Sequence, residues 1–229
     1  FKDMPSMDTF VDDMLTSAKC HEEMLVNLEQ AFQILRTNNL KLNLKKCKLG
    51  YKEVSWLGYT INREGIKPDL SKVEKCRQMQ PPVNQKEISS HLPFFQFNSQ
   101  CIENFQGIAG PLIKLTTADS KWRSVKQDGP LPPEALKAWL QIKNMILEQP
   151  QIAFPDPSLP YQIFTDASGG TINSPGENAA VLTQVHDGVT KPISYFSRRL
   201  RDAERLYDAF NCELLAIVSA LDHWRNLLI

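Results

Sequence analysis

The stretch Phe10-Val11-Asp12-Asp13 constrains this chain most. It sets two adjacent carboxylates directly behind an aromatic and a β-branched residue, with Met14-Leu15 following. Like charges repel and desolvation penalises each charged form, so paired acids on an apolar, strand-like run are costly. A chain that keeps them there uses them to hold a divalent cation or exposes them at a polar hairpin turn. Residues 10–15 are therefore expected to form a short strand or hairpin. Asp166 has a similar setting at the end of the apolar run Tyr161-Gln162-Ile163-Phe164-Thr165.

The rest of the chain must support such sites. Its 229 residues suffice for two compact domains, or for one and part of another. Net charge is zero, which argues against binding nucleic acid by overall charge but leaves room for a local basic surface. Lys41, Lys45, Lys46, Lys48 and Lys52 form one such stretch. With Trp56 and Tyr59 nearby it could track a phosphate backbone or be a solvated strand face, and the two readings weigh equally. Arg198, Arg199 and Arg201 pose the same choice, with plain surface favoured. The five cysteines are widely spaced and suggest neither a disulfide framework nor a zinc site, so a reducing intracellular setting is expected. No apolar run is long enough to span a bilayer. The four histidines show no pattern of partners. Because Asp12 and Asp13 stand so near the first residue, a fragment is expected.

Helical spacing of Met24, Leu28, Ala31 and Leu35, widened by Leu25 and Phe32, predicts a helix from Cys20 to Asn38. Leu40, Leu42 and Leu44 alternate with polar residues, predicting a half-buried strand. Val54 to Ile61 is a strand-rich run in which Gly58 suggests a bulge or close backbone approach. Asn62-Arg63-Glu64-Gly65 is expected as a turn. Ser71 with Glu74, and Asn84 with Glu87, are helix-start signals. Pro93 is expected to stop or kink the second of these helices. Gly129 to Pro133 is expected as loop, and Glu134 to Glu148 as a helix with Leu136, Trp139, Leu140, Lys143 and Leu147 near one face. Pro150 to Pro160 is expected as a linker. Strands follow at 161–165, 179–185 and 192–196, with a loop at 169–177 and a turn at Asp187-Gly188. A long helix from Ala203 to Leu228 is expected to bury Leu206, Phe210, Leu214, Ile217, Leu221 and Trp224.

Three groups of motifs carry a resemblance. The first is Phe10-Val11-Asp12-Asp13-Met14-Leu15. The second runs from Asn43-Leu44-Lys45-Lys46-Cys47-Lys48 through Trp56-Leu57-Gly58-Tyr59 and Gly65-Ile66-Lys67-Pro68-Asp69 to Ile108-Ala109-Gly110-Pro111-Leu112. The third joins Thr165-Asp166-Ala167-Ser168, Pro192 to Arg198, and Glu213 to Val218. In this order they resemble the pol polyprotein of gypsy-class LTR retrotransposons and endogenous retroviruses.

The resemblance implies a mixed α/β (α+β) chain. It consists of a palm end with a primer-grip hairpin (1–62), a helical thumb (63–125), a connection (126–160) and the first part of an RNase H-like domain (161–229). It implies RNA-directed DNA polymerase and RNase H chemistry on an RNA or DNA template-primer or RNA–DNA hybrid, with Mg²⁺ as cofactor. Asp12 and Asp13 match the polymerase acids, with Phe10 in place of the family's tyrosine. Asp166 and Glu213 match two RNase H acids. Trp56, Leu57, Gly58 and Tyr59 match the primer grip. The family's earlier palm aspartate and third RNase H acid have no counterpart in the sequence, and Asp222 lies too close to Glu213 to substitute. The run His91 to Phe97 departs from the family pattern, and its proline and phenylalanines are expected to disturb the helix and expose apolar surface. Pro175-Gly176-Glu177 is a second departure. A non-catalytic derivative that binds nucleic acid or protein, and a relic without a role, stand as the alternatives.

Overall fold

The computed structural model describes residues 4, 6–117, 120, 122, 130–170 and 176–229, and contacts divide the chain into two units, Phe1–Arg63 and Glu64–Ile229. The expected loops at 129–133 and 169–177 fall partly outside the described residues.

In the first unit, β1 (Met7–Phe10) and β2 (Asp13–Thr16) pair antiparallel, with Phe10 opposite Asp13. Helix α1 (His21–Thr37) follows. Ala31 and Leu35 are buried as its spacing predicts, but Leu25 and Phe32 are 54% and 42% exposed. The buried position on that side goes to Asn27, whose amide donates to Ser17 O at 3.0 Å. A hydrogen bond to the incoming chain outweighs extra apolar area there.

The strand expected over Leu40 to Leu44 does not form. Asn43 collects local bonds instead: its side-chain oxygen accepts from Lys45 N and its carbonyl from Lys46 N. Such Asn-centred turns compete with a strand ladder, and Leu44 is left 72% exposed. The run Val54 to Ile61 is two strands, β3 (Glu53–Trp56) and β4 (Tyr59–Asn62), paired Trp56 to Tyr59. Gly58 is no bulge. Leu57 and Gly58 both have positive φ (49° and 81°), as a two-residue hairpin of this twist demands.

The second unit opens with β5 (Gly65–Pro68) and a helical layer: α2 (Leu70–Gln78), α3 (Gln85–Phe97), α4 (Phe105–Thr116) and α5 (Pro133–Leu147). Asp69, rather than Ser71, caps α2 by accepting from Ser71 N at 2.9 Å. Asn84 caps α3 as expected, accepting from Glu87 N at 3.0 Å, and Glu87 reaches back to Val83 N. Pro93 does not end α3. The carbonyl it orphans belongs to Ser89, which is exposed and can turn to water, so the break costs little. Of the phenylalanines around it, Phe95 is fully buried and Phe94 packs against the same core, while Phe97 stays 40% exposed beneath Lys72 Nζ at 3.3 Å. Trp139, Ile142 and Ile146 line the core face of α5, while Leu140 is 43% exposed; the face is rotated from the one expected. Removing a side chain such as Trp139 from this core would cost about 3–5 kcal/mol.

The segment from Pro150 to Pro160 is extended but not free. Ile152 bridges Ile66, Ala153 N donates to Pro192 O, and buried Gln184 bonds the backbone of Asp156 and Leu159. It leads into a three-stranded antiparallel sheet, β6 (Tyr161–Ser168), β7 (Glu177–His186) and β8 (Val189–Arg199), in that spatial order.

The long helix expected after the sheet is divided. A 3₁₀ turn at Glu204–Leu206 precedes α6 (Ala209–His223), and α7 (Arg225–Leu228) follows Trp224. Asp208 starts α6 afresh by capping Asn211 N at 2.8 Å. The buried face of α6 is Cys212, Ala216 and Ala220, not Phe210, Leu214, Ile217 and Leu221, which are 77%, 49%, 44% and 47% exposed. Small side chains let the helix lie close to the sheet, and that approach decides which face turns inward. Trp224 is buried as expected and Leu206 is 88% exposed.

Candidate acid sites and nucleic-acid interface

The β1–β2 hairpin carries Asp12 in its two-residue turn and Asp13 at the first position of β2, both exposed. Val11 begins the turn with φ 52°, a left-handed backbone that a β-branched residue seldom adopts. This strained residue opens the turn that exposes Asp12 and leads into Asp13 at the start of β2.

Asp166 lies within β6, opposite Ala179, and is exposed. It is therefore not a strand-end turn. Alternation along β6 puts Asp166 on the same side as Phe164, while Tyr161 and Ile163 pack with Ala220 and Trp224. On the Asp166 side is a cavity of about 440 Å³, whose lining includes Phe164, Val181, Glu103, Asn104 and Gln141. The lining residues Ile108 from α4 and Gln141 from α5 were not legible from sequence spacing. Glu213 stands exposed near the start of α6.

Mg²⁺ takes oxygen ligands, commonly one or two carboxylates completed by water and substrate phosphate. The four acids have the right donor chemistry. Among the described residues, however, no three His, Cys, Asp or Glu side chains converge on a point that could hold a metal. Among the described residues the donors fit in kind and fall short in number of a complete centre.

Lys41, Lys45, Lys46, Lys48 and Lys52 are all exposed, the first four on or near the Asn43 turn and Lys52 just before β3. Trp56, Leu57, Gly58 and Tyr59 form the tip of the β3–β4 hairpin and are half-buried. The Trp56 indole N–H is buried without a hydrogen-bond partner among the described residues. Arg198 and Arg199 are not free surface cations. Arg198 binds Glu204 at 2.8 Å and Ser219 Oγ, and Arg199 donates to Gly110 O at 2.9 Å. The Arg198 guanidinium holds the Glu204 carboxyl below its ordinary range. His91 and His223 have packing roles, the first accepting from Trp139 and the second stacking on Phe196.

Comparison with known proteins agrees with this architecture. Residues 5–61 match the family model of reverse transcriptase (RNA-dependent DNA polymerase), and residues 131–229 match that of the RNase H-like domain found in reverse transcriptase. The retrovirus-related Pol polyprotein from transposon opus of Drosophila melanogaster is 31% identical over 220 residues, covering 94% of this chain and 21% of that protein. The transposon Tf2-3 polyprotein of Schizosaccharomyces pombe is 28% identical, covering 96% of this chain and 16% of that protein. The chain thus spans about a fifth of the length of these relatives. Among solved structures, a foamy viral protease-reverse transcriptase in complex with double-stranded DNA superposes with a TM-score of 0.81 at 25% identity, over 99% of this chain and 38% of that one. A foamy viral protease-reverse transcriptase in complex with an RNA/DNA hybrid gives 0.80 at 24% identity, over 99% and 29%, and speaks for the fold alone. Families of this kind use divalent metals. The chain belongs to the reverse transcriptase and RNase H-like families, as a segment of the Pol polyprotein type of LTR retroelements.

Proposed function

We propose that this chain is the part of a Pol polyprotein that runs from the polymerase acids into the RNase H-like domain. Its work is RNA-directed DNA synthesis and hydrolysis of RNA in a hybrid, inside a cytoplasmic particle or the nucleus. The observation that carries this reading is the hairpin tip, where the turn begun by Val11 exposes Asp12 and Asp13 near the start of the reverse transcriptase match. Asp12 and Asp13 would supply oxygen ligands to a Mg²⁺ centre on the polymerase side. Asp166 and Glu213 would do so on the nuclease side, with the remaining ligands coming from elsewhere in Pol. The complex with double-stranded DNA named for one structural neighbour supports nucleic acid as the partner.

Lys45, Lys46 and Lys48 are the residues of this chain proposed to meet phosphate. Hybrid binding measured against salt tests them. Replacing all three by Ala should weaken binding across sequences and reduce the log–log salt slope by roughly 2–3, since each phosphate contact contributes about 0.9. An unchanged slope removes the lysines from the interface, and absence of binding by the parent chain sinks the nucleic-acid reading.

A second reading, a non-catalytic binding derivative, draws on the absence of a three-acid group among the described residues. On the first reading this chain is inactive by itself, so primer extension and hybrid cleavage with Mg²⁺ on the whole Pol polyprotein that contains it separate the two. Polyprotein activity lost on Asp12→Asn or Asp166→Asn supports the enzyme, and an inactive polyprotein with lysine-dependent binding supports the derivative.

A further inference from the structure

Three hydrogen bonds join the first turns of α4 to the sheet. Asn104, with a left-handed φ of 47°, caps α4 by accepting from Gly107 N at 3.3 Å. Its Nδ2 donates to Glu177 Oε1, at the first residue of β7, at 3.0 Å. Gln106 N donates to Ser197 Oγ on β8 at 2.9 Å. Arg199, at the end of β8 and opposite Glu177, donates to Gly110 O at 2.9 Å. Gly107 and Gly110 make room: a Cβ at 107 would collide with the Glu177 carboxylate, and one at 110 would come within 3.0 Å of Arg199 Nη2. Burial lowers the Arg199 pKa and Glu177 offsets this, so the two charges support each other at the joint.

We propose that Asn104, Glu177, Ser197 and Arg199 act as positioning residues: they clasp the RNase H-like sheet to the helical layer, so that residues 64–229 open as one body. Charge-assisted bonds of this kind are about twice as strong as neutral ones. The glycines at 107 and 110, one helical turn apart, let the backbone approach closely enough to make them. The functional half of this inference rests on the reading above. A fixed joint keeps Asp166 at a constant spacing from whatever duplex the helical layer touches.

Hydrogen exchange followed by mass spectrometry on the 229-residue chain, without nucleic acid, tests the clasp independently of that reading. In the parent chain, amides of β7 and β8 should exchange with the same denaturant dependence as those of α5. Glu177→Ala should speed exchange in β7 and β8 by about tenfold while α5 stays protected. Glu177→Gln keeps an oxygen acceptor for Asn104 but not the charge and should restore part of the protection, whereas Glu177→Met, which fills the same space without an acceptor, should restore none. Arg199→Met provides a second break in the joint should Glu177→Ala not fold. Independent opening of the two layers in the parent chain overturns the clasp. So does equal loosening of both layers in Glu177→Ala, or a Gln variant as loose as the Ala variant.

Discussion

Trp139 Nε1 donates a hydrogen bond to His91 Nδ1 at 3.2 Å, joining the most deeply buried aromatic of α5 to α3. The bond requires His91 to be neutral, because a protonated imidazole has no acceptor. Burial lowers the His91 pKa, opposed by Glu87 and aided by Lys75. A group held neutral in the fold contributes its full stability above its ordinary pKa of about 6.5. That contribution is lost as pH falls from there towards the lowered folded value. Urea denaturation between pH 7.5 and 5 should show stability falling below about pH 6.5. His91→Asn, which keeps an acceptor but cannot titrate, should flatten the curve in part. His223, also lowered by burial, leaves a remainder.

Asn178 is fully buried in β7, and both atoms of its amide lack a partner among the described residues. An unsatisfied buried polar group costs about 1–3 kcal/mol, and replacing it with an apolar side chain of similar shape removes that cost. Asn178→Val should therefore stabilise the chain by about that amount, read as a higher urea midpoint at unchanged slope. A destabilised variant would mean that the amide has a bonded partner after all.

Val11 has a strained backbone at the hairpin tip. Left-handed conformations cost a non-glycine residue about 1–2 kcal/mol. Val11→Gly should recover part of this, less the added freedom of the unfolded chain. Slower hydrogen exchange across Phe10 and Asp13 would register the gain.

Gly65 is needed for a different reason. Its φ is 144°, and a Cβ there would run into the backbone carbonyl of Ile152, which accepts from Ile66 N at 2.9 Å. Backbone cannot swing aside as a side chain can. Gly65→Ala should cost about 3 kcal/mol or more and loosen the Ile66–Ile152 bridge. A thermal midpoint within a degree of the parent's would refute the close approach.

Local signals in the sequence proved dependable where one short stretch decides the outcome. Asn84 and Glu87 sit three residues apart and cap α3 as that spacing predicts. Asp187-Gly188 turns β7 into β8. The periodicity of α1 puts Ala31 and Leu35 inside. Errors arose where two distant segments compete for the same surface. The apolar stripe of α6 was expected inside because it is the more hydrophobic, but close packing on the sheet selected Cys212, Ala216 and Ala220. The alternating leucines at 40–44 lost to the Asn43 turn, and among the described residues no strand pairs with them.

The candidate sites divide in the same way. Sequence alone determined that Asp12 and Asp13 stand together and that Asp166 sits on a strand, since adjacency and alternation are properties of a few consecutive residues. Only the tertiary structure decided what surrounds them. It set Asp166 in a cavity lined by α4 and α5, enlisted Arg198 and Arg199 as fasteners, and joined Asn104 to Glu177 across 73 positions of chain. Such contacts depend on how whole layers pack, and no local pattern of residues encodes the distance between them.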